Sequence, residues 1–233
     1  MPCTLPASLA DAAVCRGSFH AVLGREAEDA VFANFSAALQ KAQAEGRILT
    51  ASLFRYENHL FFYAEGLNRP FTPQGLCPAL DAALLPWPPA LGEAAPRPWA
   101  AMQPYFYHDV PTTAADWQQG RCPQRRRGRI ALLPPDSWCS YMEHHLRIVT
   151  EGLVEGDRWH LICVQEGGLF SYLEEPRTNV NIRHQPGAHS PELDAWIAAD
   201  PESHFARFTP EQKAHPDSGH NFVFLPRIAG TED

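Results

Sequence analysis

The sequence predicts an α+β protein made of two tandem ferredoxin-like βαββαβ domains, packed sheet to sheet as an intramolecular dimeric α/β barrel. The hexapeptides LFFYAE (60–65) and LFSYLE (169–174) share Leu, Phe, Tyr and Glu in register, 109 residues apart. Each follows a helical pattern that ends at glycine and then a β-rich run, and each precedes a tryptophan and an aromatic run. Because a ferredoxin-like sheet carries helices on one face only, two copies in one chain can cover each other's open faces.

The two hexapeptides are predicted to form the second strand of a β-hairpin. The runs ILTASLFRY (48–56) and RWHLICVQ (158–165) precede them, and the intervening ENH and EGG have the composition of turns. Each half is therefore expected to contain a central hairpin.

An amphipathic helix is predicted before each hairpin. The helices are expected over residues 26–45 and 137–151, because a glycine follows each segment and suits a helix C-terminus. The residues at i, i+3, i+4 spacing are Val31, Phe32, Phe35, Ala38, Leu39 and Ala42 in the first helix, and Trp138, Tyr141, Met142, His145, Ile148 and Val149 in the second. This spacing turns one face of each helix toward its sheet.

The outer elements also occur twice. An apolar run precedes each helix and an aromatic run ends each half; the four segments are FHAVL (19–23), RIALL (129–133), PYFYHDV (104–110) and NFVFLPRI (221–228). The same offset carries Trp87 onto Trp196, in segments that suit a second helix. We therefore predict the order strand, helix, hairpin, helix, strand in both halves.

A Pro-rich and Arg-rich stretch from about 111 to 128 separates the two halves. We predict an N-terminal domain over 15–112, a linker over 113–127 and a C-terminal domain over 128–230. The basic run RCPQRRRGR (121–129) is interpreted as part of that solvated linker.

Charge and composition exclude several classes of function. The net charge is −8 and the isoelectric point about 5.7, so no nucleic-acid or anionic-membrane partner is expected. No apolar run approaches the roughly 18 residues of a transmembrane helix, and no cationic, apolar leader is present, which predicts a cytoplasmic protein. The six cysteines form no CxxC pair or zinc spacing, so free thiols are expected.

Four segments of the second half occur in an order that is typical of one family. PDSWCSYMEHH (135–145) fits the pattern Pro-Asp, four residues, Tyr, three residues, His without a gap, and RWHLICVQEGGLFSYLE (158–174), DAWIAA (194–199) and AHPDSGHNFVFLP (214–226) follow it. In these segments the chain resembles the L-rhamnose mutarotases, small dimeric α/β-barrel sugar epimerases. The resemblance covers about 100 residues.

The resemblance implies that Tyr141 and His145 are the acid/base residues of an aldose mutarotase that uses no cofactor. Mutarotation removes the proton of the anomeric hydroxyl and protonates the ring oxygen, after which the ring closes on the other face of the carbonyl. Histidine exchanges protons near neutral pH, and a tyrosine one helical turn away supplies a hydroxyl for hydrogen bonding. The i, i+4 spacing places both side chains on one face of the helix.

The resemblance also implies a sugar-binding pocket. Trp159, Trp196 and Asp217 fall where the family's pattern places pocket residues, and Tyr172 is a further candidate. Aromatic rings can stack on the C–H faces of a sugar, while polar groups bind its hydroxyls.

Some positions depart from the family's pattern. His215 stands where the family has Asn, and His144 stands where it has Arg, so the identity of the sugar is not specified. In the first half the 109-residue offset places Phe32 and Ser36 at the acid/base positions. We therefore expect one active half and one structural half.

Other interpretations remain open from the sequence alone. Tyr141 and His145 can be core residues with satisfied hydrogen bonds, and the chain can be a non-catalytic sugar or metabolite binding protein. The same barrel superfamily also includes haem and small-molecule monooxygenases. No metal is expected, because adjacent residues such as His144 and His145 point about 100° apart on a helix. The expected partner is a small-molecule sugar bound by a monomer that is itself a pseudo-dimer, with further homo-oligomerisation undecided.

Overall fold

The computed structural model forms two compact units, each built around its own sheet. It describes residues 7–107, 112–152, 154–177, 183–184, 187, 189–212 and 218–231. The first unit draws its described residues from Met1–Met102, Pro111–Pro123 and Pro226–Asp233, and the second from Gln103–Val110 and Gln124–Leu225.

The described residues form twelve strands and five α-helices. The strands are β1 (Val14–Val22), β2 (Ile48–Tyr56), β3 (His59–Leu67), β4 (Ala100–Ala101), β5 (Gln103–Tyr107), β6 (Arg125–Leu132), β7 (Val154–Glu155), β8 (Leu161–Gln165), β9 (Gly168–Glu175), β10 (Arg183–His184), β11 (Val223–Leu225) and β12 (Arg227–Gly230). The helices are α1 (Asp29–Ala44), α2 (Pro78–Asp81), α3 (Ala114–Gln118), α4 (Pro135–Glu151) and α5 (Pro191–Ala198). None of the helices in the described ranges is both long and apolar enough to cross a membrane. The predicted α+β class, with strand, helix and hairpin in both halves, is confirmed.

The first unit is an antiparallel sheet with α1 packed against it. Among its described residues the strand order is β12-β2-β3-β1-β4. β2 and β3 form the predicted hairpin, and Glu57 takes a positive φ of 52° in the turn. The amphipathic face of α1 places Phe32, Phe35 and Leu39 in one apolar core with side chains of β2 and β3.

The second unit repeats this arrangement in its described residues. Its strand order is β11-β6-β9-β8-β5, again antiparallel, and β8 and β9 form the second predicted hairpin. α4 buries Tyr141, His145 and Ile148, and α5 buries Leu193 and Trp196. A short separate ladder joins β7 to β10, which the sequence pattern did not indicate.

Both long helices end where the sequence predicts, at a glycine in the left-handed region. Gly46 and Gly152 each have a φ of 68°, a conformation that costs glycine little because it has no Cβ. The Arg47 N–H donates to the carbonyl of Ala42 at 3.0 Å, and the Gly152 N–H donates to that of Ile148 at 3.4 Å. Carbonyls at the helix ends are thereby partly satisfied.

The residues shared by the two hexapeptides make the same hydrogen bond in each unit. The Tyr63 hydroxyl donates to Glu65 Oε1 at 2.8 Å, and the Tyr172 hydroxyl donates to Glu174 Oε1 at 2.6 Å. All four side chains are buried. The sequence repeat is therefore also a repeat of a buried polar contact.

The compact units differ from the predicted domain boundaries of 15–112 and 128–230. β5 lies at the end of the first half, yet it pairs with β8 of the second unit. β12 lies at the end of the second half, yet it pairs with β2 of the first unit. A hydrophobic pattern identifies a strand but not the edge that it pairs with, so the sequence placed each final strand with its own half.

The predicted linker, 113–127, also contains ordered structure. It includes α3, whose Trp117 is completely buried and whose indole N–H donates to Glu65 Oε2 at 2.6 Å. The segment around Trp87, by contrast, does not form the suggested second helix. α2 has four residues, and the prolines at 86, 88 and 89 prevent a helix from continuing through Trp87.

Candidate active site

Helix α4 carries the two residues that the sequence predicts as an acid/base pair. Pro135 occupies the first turn, where its missing N–H costs nothing, and Asp136 complements the helix dipole there. The i, i+4 spacing places the rings of Tyr141 and His145 side by side, with centroids 4.2 Å apart. Both are almost fully buried, at 3% and 5% exposure. They lie on the face of α4 that turns toward the sheet.

Tyr141 and His145 contribute to a cavity of about 370 Å³ in the second unit. The cavity is lined mainly by ring-bearing and apolar side chains, namely Phe106, Tyr141, His145, His160, Ile162, Leu193, Trp196, Ile197, Pro201, Phe205 and Phe222. Trp196 on α5 contacts both members of the pair, with ring centroids 5.2 Å from Tyr141 and 4.7 Å from His145. The structure thus brings three of the predicted site residues to one cavity.

A backbone contact fixes the protonation pattern of His145. Its Nδ1 lies 2.9 Å from the carbonyl oxygen of Tyr141, one turn earlier in α4. A carbonyl oxygen only accepts hydrogen bonds, so Nδ1 must carry the hydrogen that is donated. In the neutral imidazole, Nε2 then carries the lone pair. His145 is therefore oriented as a base through Nε2.

Burial keeps the hydroxyl of Tyr141 protonated. It raises the pKa of Tyr141 well above its usual value, and the effect of burial exceeds the opposing effects of the Tyr105 hydroxyl and the Arg129 guanidinium. A phenol with a raised pKa remains a hydrogen-bond donor at neutral pH. The helix face therefore presents a donor beside an acceptor.

Two polar contacts and one buried cation lie at the same cavity, and the sequence does not predict them. Arg177 donates to the Asp157 carboxylate, and Glu202 accepts from the Asn221 amide. Arg129 on β6 faces the cavity, and burial lowers its pKa to about 10, so it is charged at neutral pH. In the sequence Arg129 ends the basic run at 121–129, which predicts a solvated linker, and begins the apolar run RIALL (129–133), which predicts a strand; neither pattern indicates a cavity.

Two further predicted binding residues that the structure describes, Trp159 and Tyr172, do not line this cavity. Trp159 is half-buried, and the next residue, His160, lines the cavity in its place. In the sheet, Tyr172 pairs with Gly128 and Leu161. The preceding residue, Ser171, pairs with Arg129 and Ile162, which line the cavity. Successive strand residues point to opposite faces, so Tyr172 lies on the sheet face opposite the cavity, where it bonds to Glu174. Asp217 lies outside the described residues.

The first unit has no equivalent pair among its described residues. Phe32 is part of the apolar core of α1, and the Ser36 hydroxyl accepts from the backbone N–H of Gly230 at 3.2 Å. The described part of the chain also contains no group of three His, Cys, Asp or Glu residues able to hold a metal ion. The acid/base geometry of α4 is thus specific to the second unit.

Comparison with known proteins leaves the activity undefined. No family model and no curated protein matches the chain. A putative monooxygenase from Lactobacillus acidophilus NCFM matches 94% of this chain and 96% of its own at 6% identity, with a TM-score of 0.41. A putative monooxygenase from Fusobacterium nucleatum subsp. nucleatum ATCC 25586 matches 94% of both chains at 9% identity, with a TM-score of 0.41. At these values neither likeness bears on the function of this chain.

Proposed function

We propose that this protein is a cofactor-free mutarotase that interconverts the α and β anomers of an aldose in the cavity of the second unit. The observation that carries the proposal is the pairing of His145 and Tyr141. A base with its lone pair on Nε2 stands beside a phenol that stays protonated, and Trp196 contacts both rings.

The reaction needs only the movement of one proton between two oxygens. His145 Nε2 removes the proton from the anomeric hydroxyl, the C1–O1 bond becomes a carbonyl, and the bond from C1 to the ring oxygen breaks. Tyr141 donates a hydrogen bond to the ring oxygen as negative charge develops there. The imidazolium then returns its proton to the ring oxygen. In the closed sugar the ring oxygen and the anomeric hydroxyl are both bonded to C1, so the same imidazole serves both.

The open-chain aldehyde allows the anomer to change. Rotation about the C1–C2 bond exposes the other face of the carbonyl, and the same steps in reverse close the ring. No proton is gained or lost overall, and nothing is oxidised. An aromatic wall such as Trp196 would stack on the C–H face of the sugar and hold it during the rotation.

The test is saturation-transfer NMR between the anomer signals of L-rhamnose, L-fucose, D-galactose and uronic acids. We expect at least one sugar to exchange faster with the protein, and the acceleration to be lost in His145→Gln. If no sugar on this panel exchanges faster, the proposal fails. Binding without exchange would instead indicate a non-catalytic sugar-binding protein, and a Soret band on addition of haem would indicate the haem monooxygenase alternative.

A further inference from the structure

Arg129 is a cation that faces the cavity from the middle of the sheet. It pairs with Ser171 in the β6–β9 ladder, and its side chain points to the same face as Ile162, which also lines the cavity. The guanidinium carbon lies 4.3 Å from the centroid of the Phe222 ring, a cation–π contact that orients the group. The Nε atom of Arg129 is buried without a hydrogen-bond partner.

Neighbouring arginines on the same strand have carboxylate partners, and Arg129 does not. Arg126 Nε lies 3.8 Å from Glu174 Oε1, and Arg127 Nη1 lies 3.0 Å from Glu175 Oε1. Within the described ranges, Arg129 makes no hydrogen bond and no ion pair. A buried guanidinium without a carboxylate costs free energy, and burial correspondingly lowers the Arg129 pKa to about 10.

The other charged groups that line the cavity already have partners. Arg177 is paired with Asp157, and the Glu202 carboxylate accepts a hydrogen bond from the Asn221 amide. Glu202 acts on Arg129 at longer range, without forming an ion pair with it. Among the charged groups of the described cavity lining, Arg129 is therefore the one whose N–H donors remain available to a ligand.

We propose that the sugar bound here carries a carboxylate, as a hexuronic acid does, and that Arg129 binds this carboxylate. The inference rests on the proposed mutarotase function and specifies its substrate class. A guanidinium presents a planar pair of N–H donors that matches the two oxygens of a carboxylate.

The chemistry of a uronic acid matches the arrangement of the cavity. Its carboxylate is attached to C5, the carbon that also bears the ring oxygen. Arg129 and Tyr141 line the same cavity, so a carboxylate bound by Arg129 brings the ring oxygen on the neighbouring carbon into the cavity that Tyr141 lines. This is the oxygen to which Tyr141 donates in the proposed reaction. The anomeric carbon is bonded to the same oxygen, and His145 also lines this cavity.

The test compares two sugars that differ only at C6, D-galacturonate and D-galactose. Exchange between anomers is measured by saturation-transfer NMR for both, and kcat/KM is expected to be about 10- to 100-fold higher for the uronate, the gain typical of a charge-assisted hydrogen bond. Arg129→Gln is expected to reduce that ratio to about one, and Arg129→Lys, which keeps the charge but not the planar fork, to restore part of it. Arg147→Gln, an exposed arginine of α4 paired with Glu143, is the matched control and should leave the ratio unchanged.

The outcomes separate this inference from the proposed function. If D-galactose exchanges as fast as the uronate and Arg129→Gln leaves the ratio unchanged, the carboxylate inference is overturned while mutarotation stands. If neither sugar exchanges, mutarotation fails, and calorimetry with D-galacturonate then decides the inference alone. Binding by the wild type that is lost in Arg129→Gln and kept in Arg147→Gln supports a carboxylate site, whereas equal binding or none overturns it. Circular dichroism of each variant verifies its fold.

Discussion

At the scale of single residues, His145 and Tyr141 differ in what they contribute to a proton transfer. His145 donates through Nδ1 to the carbonyl of Tyr141, which fixes its orientation, whereas Tyr141 provides a hydroxyl that burial keeps protonated. The imidazole is therefore the group that changes protonation state during the reaction, and the phenol assists it. Substituting the two residues separately should show this difference.

We expect His145→Gln to lower kcat for anomer exchange by about 10²–10⁴-fold, the usual contribution of general acid–base catalysis. Tyr141→Phe should lower kcat by about 10–100-fold, because it removes one hydrogen-bond donor and keeps the ring packed against Trp196 and Phe205. NMR exchange rates at saturating sugar measure both effects. His144→Gln, a half-buried neighbour, is the control. If both Tyr141→Phe and His145→Gln keep exchange rates within twofold of wild type, His145 is not the acid/base group and Tyr141 does not assist it.

Arg129 gives the site a pH dependence. Its folded pKa of about 10 lies below the usual value of 12.5, so the folded protein loses the guanidinium charge as pH rises through about 10. Affinity for D-galacturonate should therefore be constant from pH 7 to 9 and fall above pH 10, whereas affinity for D-galactose should not follow that transition.

The groups that act electrostatically on Arg129 are Tyr141, Arg177, Tyr105 and Glu202. Burial raises the pKa of both tyrosines, which keeps them neutral at pH 10. Calorimetric titration at each pH measures the two affinities, and parallel losses would argue against a carboxylate on Arg129.

At the scale of secondary-structure elements, the two long helices show how one fold accommodates two kinds of inward face. Where α4 buries Tyr141 and His145, the equivalent positions of α1 hold a buried Phe32 and a half-buried Ser36. The architecture therefore does not require the polar pair. α3, in turn, is held to the first sheet by polar contacts rather than by apolar packing alone.

Glu65 of β3 is the centre of those contacts. Its carboxylate is completely buried and accepts from Tyr63, Trp117 and Arg121, the last through two N–H groups at 2.7 and 2.9 Å. Glu65→Gln should lower the free energy of unfolding by about 3 kcal/mol or more, because it leaves a buried guanidinium without its counter-charge. Urea denaturation followed by tryptophan fluorescence measures the loss. Glu143→Gln removes an exposed ion pair and should cost under about 1 kcal/mol, and a similar loss in both variants would contradict this role of Glu65.

At the scale of the whole molecule, the pairing of β12 with β2 links two segments that lie far apart in the sequence. Arg227 Nε donates to Ser52 Oγ at 2.9 Å, and the Thr231 hydroxyl lies 3.0 Å from that of Thr50, so residues after Pro226 support β2. Deleting residues 227–233 should therefore reduce hydrogen-exchange protection in β2, more than 170 positions earlier. Deleting only 232–233 is the control. Loss of protection confined to β8 and β9 would instead favour the predicted boundary at 230.

The repeat and its periodicity were sufficient to predict the class of fold, both hairpins, both long helices and their glycine ends. They did not predict the pairing of β5 and β12, because the partner of an edge strand depends on tertiary contacts that hydrophobic alternation does not encode. In the site, the α4 residues and Trp196 were predictable from helical spacing and a family pattern. Arg129 was not, because a cation in a basic run has the same sequence pattern whether the strand turns it toward solvent or toward a cavity.

The pairing of β12 with β2 also bears on the order in which the protein can fold during synthesis. β2 leaves the ribosome more than 170 residues before β12, the strand that covers its edge. Until then β2 exposes unpaired backbone N–H and C=O groups, which other extended chains can bind. The first unit can collapse around α1 before this point, but it cannot complete its sheet. We therefore expect nascent chains stalled before residue 226 to associate with chaperones, or to aggregate, more than chains that include β12.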